Sequence, residues 1–387
     1  MLTGVNVALG VTGSIAAVKV VELAHELRRR GASVRAVLSP SAQGIIHPWA
    51  VEYATDNPVV TEITGRVEHV ELCGREGWAD VFLVAPATAN TVGKIASAVD
   101  DTPVTTCATT ALGAEVPVVV APAMHEPMYD HPGVLDAIER VASWGVEFVE
   151  PRIEEGKAKI AAEDTIALEV ARAATPGPLD GKNVVITSGA TSEPVDPIRV
   201  LTSRSSGKTG RAVARACYAA GANVALVHPG ESVPYATDVR VETAAEMLDA
   251  VSDLVTAFPA DALVSVAAIS DYTTDAAGEK IRSGRELSLD LHPTPKLIDE
   301  IRDDYPNLPI VGFKAETGGD DAAMVAAARE TLERAGLSFV VANDASVMGE
   351  DETRAVFVRE HSVREYGGSK AELGRRVAEE LAAELAE

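Results

Sequence analysis

One phrase written twice constrains this chain most. Val5 to Leu38 and Asn183 to Val227 each run from a short apolar strand through a Gly-bearing turn into an amphipathic helix, then through Gly-Ala into a second apolar strand. The two helix-to-strand returns, AHELRRRGASVRAVL and ARACYAAGANVALV, stop their helices at Gly31 and Gly221, where a left-handed residue satisfies the last helical carbonyls without a Cβ clash. Strand-helix-strand units of this kind join parallel strands buried on both faces, which read as unbroken apolar runs. Val81 to Ala85 and Val116 to Ala121 are further runs of that type. Between the two phrases, Thr175 to Pro178 reads Thr-Pro-Gly-Pro and interrupts a helical pattern. The fold class is therefore α/β, with two domains of parallel-rich sheet: residues 1–174, a linker at 175–180, and residues 181–387. A chain of 387 residues with 47% apolar content can fill two cores of about 170 to 200 residues.

Charge narrows the function classes. The formal net charge is −24, with acids scattered along the chain. Such a surface repels nucleic acid, and no basic stripe offsets it. The balance looks like that of proteins kept soluble in concentrated salt, so a salt-adapted source is expected. Cys73, Cys107 and Cys217 follow no metal or disulfide spacing, so a reduced cytoplasmic protein is expected. No signal-like start and no charge-free span of membrane length is present, so no membrane partner is expected.

Three places invite phosphate. After the first strand, Gly10-Val11-Thr12-Gly13-Ser14 offers close backbone approach, a hydroxyl and the free amides of a helix start. The third glycine of the dinucleotide fingerprint is missing, and a turn this short can also merely turn. Ser39, at the end of the second strand, is another candidate. In the second half, Ser205-Ser206-Gly207-Lys208 leads into an amphipathic helix in the same way.

Residues GVTGSIAAVK from Gly10, His69-Val70-Glu71-Leu72, WADVFLVAPATANTVGKIA from Trp78, and Pro122-Ala123-Met124 with Met128 resemble the flavin-dependent cysteine decarboxylases. The resemblance implies a flavodoxin-like or Rossmann-like flavoprotein domain. Gly13, Ser14, Ser39, Thr88, Asn90, Thr105 and Thr106 would hold FMN, with His69 the catalytic histidine beside it. Met124 would contact substrate. The family's asparagine after Pro-Ala-Met, which grips the substrate carboxylate, is His125 here. Its flap cysteine is absent from Pro151 to Ile160, and Lys157 or Lys159 stands as the alternative proton donor or phosphate ligand.

The second half resembles the Rossmann-like ligase that joins phosphopantothenate to cysteine, around Gly189-Ala190-Thr191, Glu193 to Arg199, Ser205 to Lys208, Ala267 to Tyr272, Glu279-Lys280-Ile281, Gly312 to Thr317 and Val341 to Asp344. A carboxylate must be activated before an amine attacks it, so cationic side chains and Mg2+ are needed where charge develops at phosphorus. The resemblance gives Lys280 that role and gives Asp271 nucleotide or metal binding. By the same resemblance Phe313 would pack near the base, and Ser205, Ser206, Gly207 and Lys208 would hold a phosphate. Ala267 and the Pro293-Thr294-Pro295-Lys296 turn would border the nucleotide, and Arg329 and Arg334, in the neighbourhood of the family's missing nucleotide-contacting lysines, could bind phosphate in their place or be ordinary exposed helix charges. Ser203 occupies the place of an asparagine that handles the acyl nucleotide.

The resemblance covers nearly the whole chain. It implies a bifunctional coenzyme A biosynthesis enzyme taking 4'-phosphopantothenate, L-cysteine and CTP to 4'-phosphopantothenoylcysteine, then decarboxylating that product to 4'-phosphopantetheine. It also implies a homo-oligomer with flavin sites between subunits. Three alternatives stay open: an enzyme with only one activity, a flavin-bearing phosphatase-regulatory protein, and, from fold alone, a nicotinamide oxidoreductase.

Overall fold

The computed structural model describes residues 1–174, 177–284, 286–316, 321–344 and 352–386. Thr175 and Pro176 of the expected linker, and Thr317, lie outside them. The chain divides into two units, Met1–Pro176 and Gly177–Glu387.

The first unit contains β1 (Asn6–Val11), β2 (Ser33–Leu38), β3 (Val81–Ala87), β4 (Val118–Pro122), β5 (Met124–His125), β6 (Glu147–Phe148), β7 (Arg152–Glu154) and β8 (Lys157–Lys159). Five of these form a parallel sheet in the order β2-β1-β3-β4-β6. This is the flavodoxin-like order, and its direction of growth reverses between β1 and β3. Both faces are covered: Val7, Ala8, Leu9, Phe82, Leu83 and Val84 are all fully buried, which is why these strands read as continuous apolar runs. The remaining three strands form a small antiparallel sheet, β5-β8-β7.

The second unit contains β9 (Asn183–Thr187), β10 (Ser192–Pro194), β11 (Val200–Thr202), β12 (Asn223–His228), β13 (Thr237–Arg240), β14 (Ala262–Ser265), β15 (Tyr272–Thr274), β16 (Leu291–Pro293), β17 (Ile310–Glu316), β18 (Phe339–Asp344), β19 (Glu352–Val358) and β20 (Val363–Ser369). Its main sheet runs β13-β12-β9-β14-β17-β18-β19-β20. The first six strands are parallel in the Rossmann order. The last two are antiparallel additions. Here the reversal falls between β9 and β14.

The helix stops are as the sequence dictates: Gly31 at φ 99° and Gly221 at φ 100° adopt the left-handed conformation. Ser369 opens the acidic C-terminal helix Lys370–Leu385 with a capping box shared with Glu372. No described helix is long and apolar enough to cross a membrane.

Candidate active sites

In open parallel sheets, ligands bind outside the carboxyl ends of the strands where the strand order reverses. In the first unit that place is built by the loops after β1 and β3. The Thr12 hydroxyl donates to the Pro86 carbonyl at 2.6 Å and accepts from the Thr88 amide at 3.2 Å, lacing the two loops together; the Ala85–Pro86 peptide is cis. Ser14 donates to the Ala123 carbonyl at 3.1 Å, which adds the loop after β4. It also caps the short 3-10 turn Ile15–Lys19, ahead of the helix Val20–Arg29.

Ser39 caps Pro40–Gln43 and lies 3.1 Å from the Ser41 hydroxyl. A Cβ on Gly13 would lie 2.4 Å from that same Ser41 oxygen, so only glycine permits the approach. Thr88 caps the helix Ala89–Ala96, with Asn90 exposed in its first turn. Helix starts at Ser14, Ser39 and Thr88 thus share one edge, and their free amides suit a phosphate.

Thr105 and Thr106 lie in the first turn of the helix Pro103–Gly113, where Val104 packs over Gly10 near the end of β1. Their hydroxyls are committed to that helix. Thr105 forms a capping box with Thr102 and is 2% exposed, and Thr106 donates to the Thr102 carbonyl at 2.9 Å. Each hydroxyl spends its donor on the helix start, and Thr106 keeps its acceptor lone pairs. Their work is to fix the helix start.

His69 sits on the helix Glu68–Cys73. That helix is tied to β2 by the Arg35–Glu71 ion pair at 2.9 Å and to the strand ahead by the Trp78 amide bonding the Glu71 carbonyl. Val67, just before it, has φ 51°, a conformation a β-branched residue adopts only when its surroundings impose it. The Nδ1 atom of His69 is buried with no hydrogen-bond partner. A buried polar atom in that state can take a hydrogen bond from a bound group, and, separately, the helix starts at Ser14, Ser39 and Thr88 suit a flavin's phosphate.

β5, β8 and β7 put the flap beside the Pro-Ala-Met-His segment. His125 stands opposite Lys157, and Met124 opposite Ala158. The hairpin turns at Glu155 and Gly156, both with positive φ, the pattern of a two-residue turn. The Glu126 amide bonds the Gly156 carbonyl at 3.2 Å. Lys159 is held at 3.0 Å by both Glu155 and Glu154. Those hydrogen bonds, Glu155 first, keep its ammonium above the ordinary lysine range, so it holds its proton tightly. Lys157 is the lysine that faces His125.

No cysteine stands in for the family's flap thiol. Cys73, Cys107 and Cys217 are free and buried. A hydrogen bond with Cys107, together with burial, pushes the Cys73 thiol far above its usual range. Burial pushes Cys217 up to about 12. Thiols held protonated in this way are poor nucleophiles.

In the second unit the loops after β9 and β14 are laced in the same manner. Thr187 accepts from the Val266 and Ala267 amides at 3.1 Å each, and Thr191 accepts from the Ser270 amide at 2.8 Å. Ser188 donates to the Gly207 carbonyl at 3.0 Å. Gly207 has φ 72° and opens the helix Lys208–Ala219, and a Cβ there would lie 3.1 Å from the Gly189 Cα. The Ser205-Ser206-Gly207-Lys208 turn is therefore pressed onto the end of β9. Ser203 is exposed two residues ahead of Ser205, whose amide it accepts at 3.4 Å.

The Pro293-Thr294-Pro295-Lys296 turn folds over the Ser270-Asp271 loop. Thr294 donates to the Ser270 carbonyl, and Lys296 pairs with Asp271 at 2.5 Å. Phe313 lies in β17, and Lys280 is exposed on the loop between β15 and β16. Among the described residues no group of three or more His, Cys, Asp or Glu side chains is arranged to hold a metal.

Arg329 and Arg334 lie at the wrong end. They belong to the helix Asp321–Ala335, which runs back from the end of β17 to the start of β18. Arg334 pairs with Asp299 through both carboxylate oxygens at 2.5 and 2.6 Å. Arg329 donates to the Glu360 carbonyl, in the turn that follows β19 beside the start of β18. Both serve packing at the amino ends of the parallel strands, opposite the edge that carries Lys280 and Asp271.

Residues 179–385 match the DNA/pantothenate metabolism flavoprotein C-terminal domain, and residues 1–175 match the Flavoprotein family. The coenzyme A biosynthesis bifunctional protein CoaBC of Thermococcus kodakarensis is 49% identical over 385 residues, covering 98% of this chain and 95% of that protein. This chain belongs to that bifunctional family. The CoaBC protein of Methanocaldococcus jannaschii is 34% identical, covering 98% of this chain and 94% of that protein. Among solved structures, the DNA/pantothenate metabolism flavoprotein from Streptococcus pneumoniae is 25% identical with a TM-score of 0.47, covering 52% of this chain and 99% of that one.

Within this CoaBC-like chain, sequence reasoning missed two polar clusters of the ligase unit. His228, 1% exposed at the end of β12, accepts from the Gly230 amide on Nδ1 and therefore presents Nε2–H to Asp238 at 2.8 Å. Asp238 also accepts from Ser232 and from the Val233 amide. The second cluster surrounds Asp196, quoted in a motif but given no role. Its partners lie up to 85 residues away, beyond the reach of any spacing rule.

Proposed function

We propose a division of labour for this bifunctional enzyme of coenzyme A biosynthesis. Residues 181–387 join 4'-phosphopantothenate to L-cysteine through an acyl nucleotide made from CTP. Residues 1–174 decarboxylate the resulting 4'-phosphopantothenoylcysteine to 4'-phosphopantetheine, and residues 175–180 link the two. The observation that carries the reading is the 49% identity to a bifunctional relative over 98% of the chain. Loops that carry motif residues, Thr12 with Thr88 and Thr187 with Ala267, are also hydrogen-bonded to each other beside each strand-order reversal.

In the decarboxylase unit, the amides and hydroxyls at Gly13, Ser14, Ser39 and Thr88, with Asn90, hold the FMN phosphate and ribityl chain. Bound FMN supplies two-electron redox chemistry at the cysteinyl thiol, which gives the departing carboxylate's electrons a sink. His69, with its unpartnered Nδ1, holds or moves a proton at the reacting carbon. His125 donates to the substrate carboxylate where the family uses asparagine, with Met124 lining the same strand. Lys157, across from His125, returns the proton or grips the substrate phosphate. Exposed Ile15, Val18, Trp49, Tyr53, Val67 and Val70 support a homo-oligomer with flavin sites completed between subunits.

In the ligase unit, Lys280 neutralises charge at the phosphorus under attack. The Ser205 to Lys208 turn holds a phosphate and Ser203 contacts the acyl nucleotide. Asp271 and the nucleotide's phosphates share Mg2+. Ala267, Phe313 and the Pro293 to Lys296 turn border CTP.

The test is mass-resolved product analysis of the purified chain, at low and high salt. One reaction contains phosphopantothenate, cysteine, CTP and Mg2+; the other contains phosphopantothenoylcysteine alone. Phosphopantetheine in both is the expected result. A first reaction that stops at phosphopantothenoylcysteine refutes the decarboxylase assignment, and turnover of only the second substrate refutes the ligase assignment.

A further inference from the structure

The loop carrying Lys280 leaves β15 after Thr274 and re-enters the sheet at Leu291. Between those points it contains no regular structure among its described residues. Fixing each such residue costs conformational entropy, and a catalytic lysine acts well only when its position is settled before the substrate arrives. Among the described residues, contacts with the stretch Val195 to Arg199 hold the part that carries Lys280. The Ala277 amide bonds the Val195 carbonyl at 3.0 Å. The Ile281 amide bonds Asp196 Oδ2 at 3.1 Å, and the Arg199 guanidinium reaches the Ile281 carbonyl at 3.0 Å. Lys280 therefore hangs from a backbone gripped three residues before it and immediately after it.

Asp196 is organised for this. Its side chain is fully buried while that of Arg199 is 43% exposed. Its two oxygens divide the work. Oδ1 accepts from the Ile198 and Arg199 amides at 2.8 and 2.9 Å, closing its own turn. Oδ2 accepts from the Arg199 guanidinium at 2.7 Å and from the Ile281 amide. One oxygen shapes the local loop and the other reaches the lysine's loop.

We infer that Asp196, with Arg199, is the positioning residue for Lys280, setting the lysine's reach to the phosphorus during acyl-nucleotide formation. The inference rests on the assignment of Lys280 to that step.

The division between the oxygens supplies a clean substitution. In Asp196→Asn, the amide oxygen can keep the Oδ1 role, while its NH2 group replaces Oδ2 and faces two donors, the Ile281 amide and Arg199. The local turn survives and the clamp opens. Arg199→Gln opens the clamp from the other side while leaving the Asp196 carboxylate in place. The experiment measures CTP-dependent pyrophosphate release in the full chain for both variants, for Lys280→Gln, and for each clamp variant combined with Lys280→Gln. Decarboxylation of phosphopantothenoylcysteine and urea unfolding serve as controls.

Each clamp variant should lower kcat for pyrophosphate release about 10- to 100-fold, with KM for CTP moving less than about three-fold, and should add nothing once Lys280 is gone. Residues that act as one unit are non-additive in this way. A clamp variant that retains the native kcat, or slows Lys280→Gln by the same factor as it slows the native chain, overturns the inference while leaving the lysine's role standing. Native activity in Lys280→Gln overturns the lysine assignment, and the inference with it. If Asp196→Asn does not fold, Arg199→Gln decides by the same criteria.

Discussion

Gly13→Ala is the substitution that most directly tests the geometry of the flavin end of the chain. A methyl group at residue 13 would stand 2.4 Å from the Ser41 Oγ, 2.5 Å from the Ser41 Cβ and 3.2 Å from its carbonyl carbon. Unstrained carbon contacts need about 3.5 to 4.0 Å, so Ser41 or the strand end must retreat by about 1 Å. Ser41 cannot retreat alone, because its hydroxyl lies against that of Ser39 at 3.1 Å. The strain therefore passes to a second residue of the proposed phosphate cradle. Overpacking of this kind costs about 1 to 3 kcal/mol, which in a unit of this size lowers the unfolding temperature by about 2 to 12 °C. Flavin retained per chain, read by absorbance after dialysis, should fall at least about ten-fold in affinity. Ser41→Gly in the same chain removes the two closest atoms and should restore most of both quantities. Native flavin content at the native unfolding temperature in Gly13→Ala would refute the close-approach argument. So would a double variant no better than the single one.

Three further outcomes follow from particular contacts. Burial raises the Asp238 carboxyl, but hydrogen bonds from His228, Ser232 and Val233 outweigh it and hold the group below its usual range. A carboxylate favoured in the folded state contributes stability above its unfolded pKa of about 3.9 and loses it as pH falls through the folded value. Asp238→Asn should thus be less stable than the native chain at pH 7 by urea unfolding, with the gap closing below about pH 4; a gap unchanged at pH 3 contradicts this. Arg334→Ala breaks a half-exposed pair with Asp299 and should cost at most about 1 kcal/mol while leaving KM for CTP within about two-fold. A large rise in that KM would return the residue to the nucleotide site. Finally, Lys157→Ala should slow decarboxylation at least about 100-fold if the lysine moves a proton, and Lys159→Ala should have about a two-fold effect. The reverse order, read from single-turnover CO2 release, removes Lys157 from the site.

The fold was legible wherever structure depends on local pattern. The repeated strand-turn-helix phrase and the glycine stops at Gly31 and Gly221 follow from backbone conformation and period. They appear at or within a few residues of the expected positions. Site residues attached to those turns, such as Ser14, Ser39, Thr88 and Gly207, were legible for the same reason, since a helix that follows a parallel strand must begin at the strand's carboxyl edge.

That same rule could have corrected Arg329 and Arg334. A helix that starts beyond the end of β17 must return to the opposite edge before β18 begins, so residues late in it are carried away from the nucleotide. The hydroxyls of Thr105 and Thr106 both donate to the Thr102 carbonyl, a local role that a helix start offers any hydroxyl there. Asp196 was illegible because its role depends on Ile281, 85 residues on in an irregular loop. A motif can fix the type of residue at a site, but only the partner across space says which oxygen does the work. The sequence shows Lys280 as one exposed lysine on a polar loop; the bonds on either side of it distinguish a positioned cation from a solvated one.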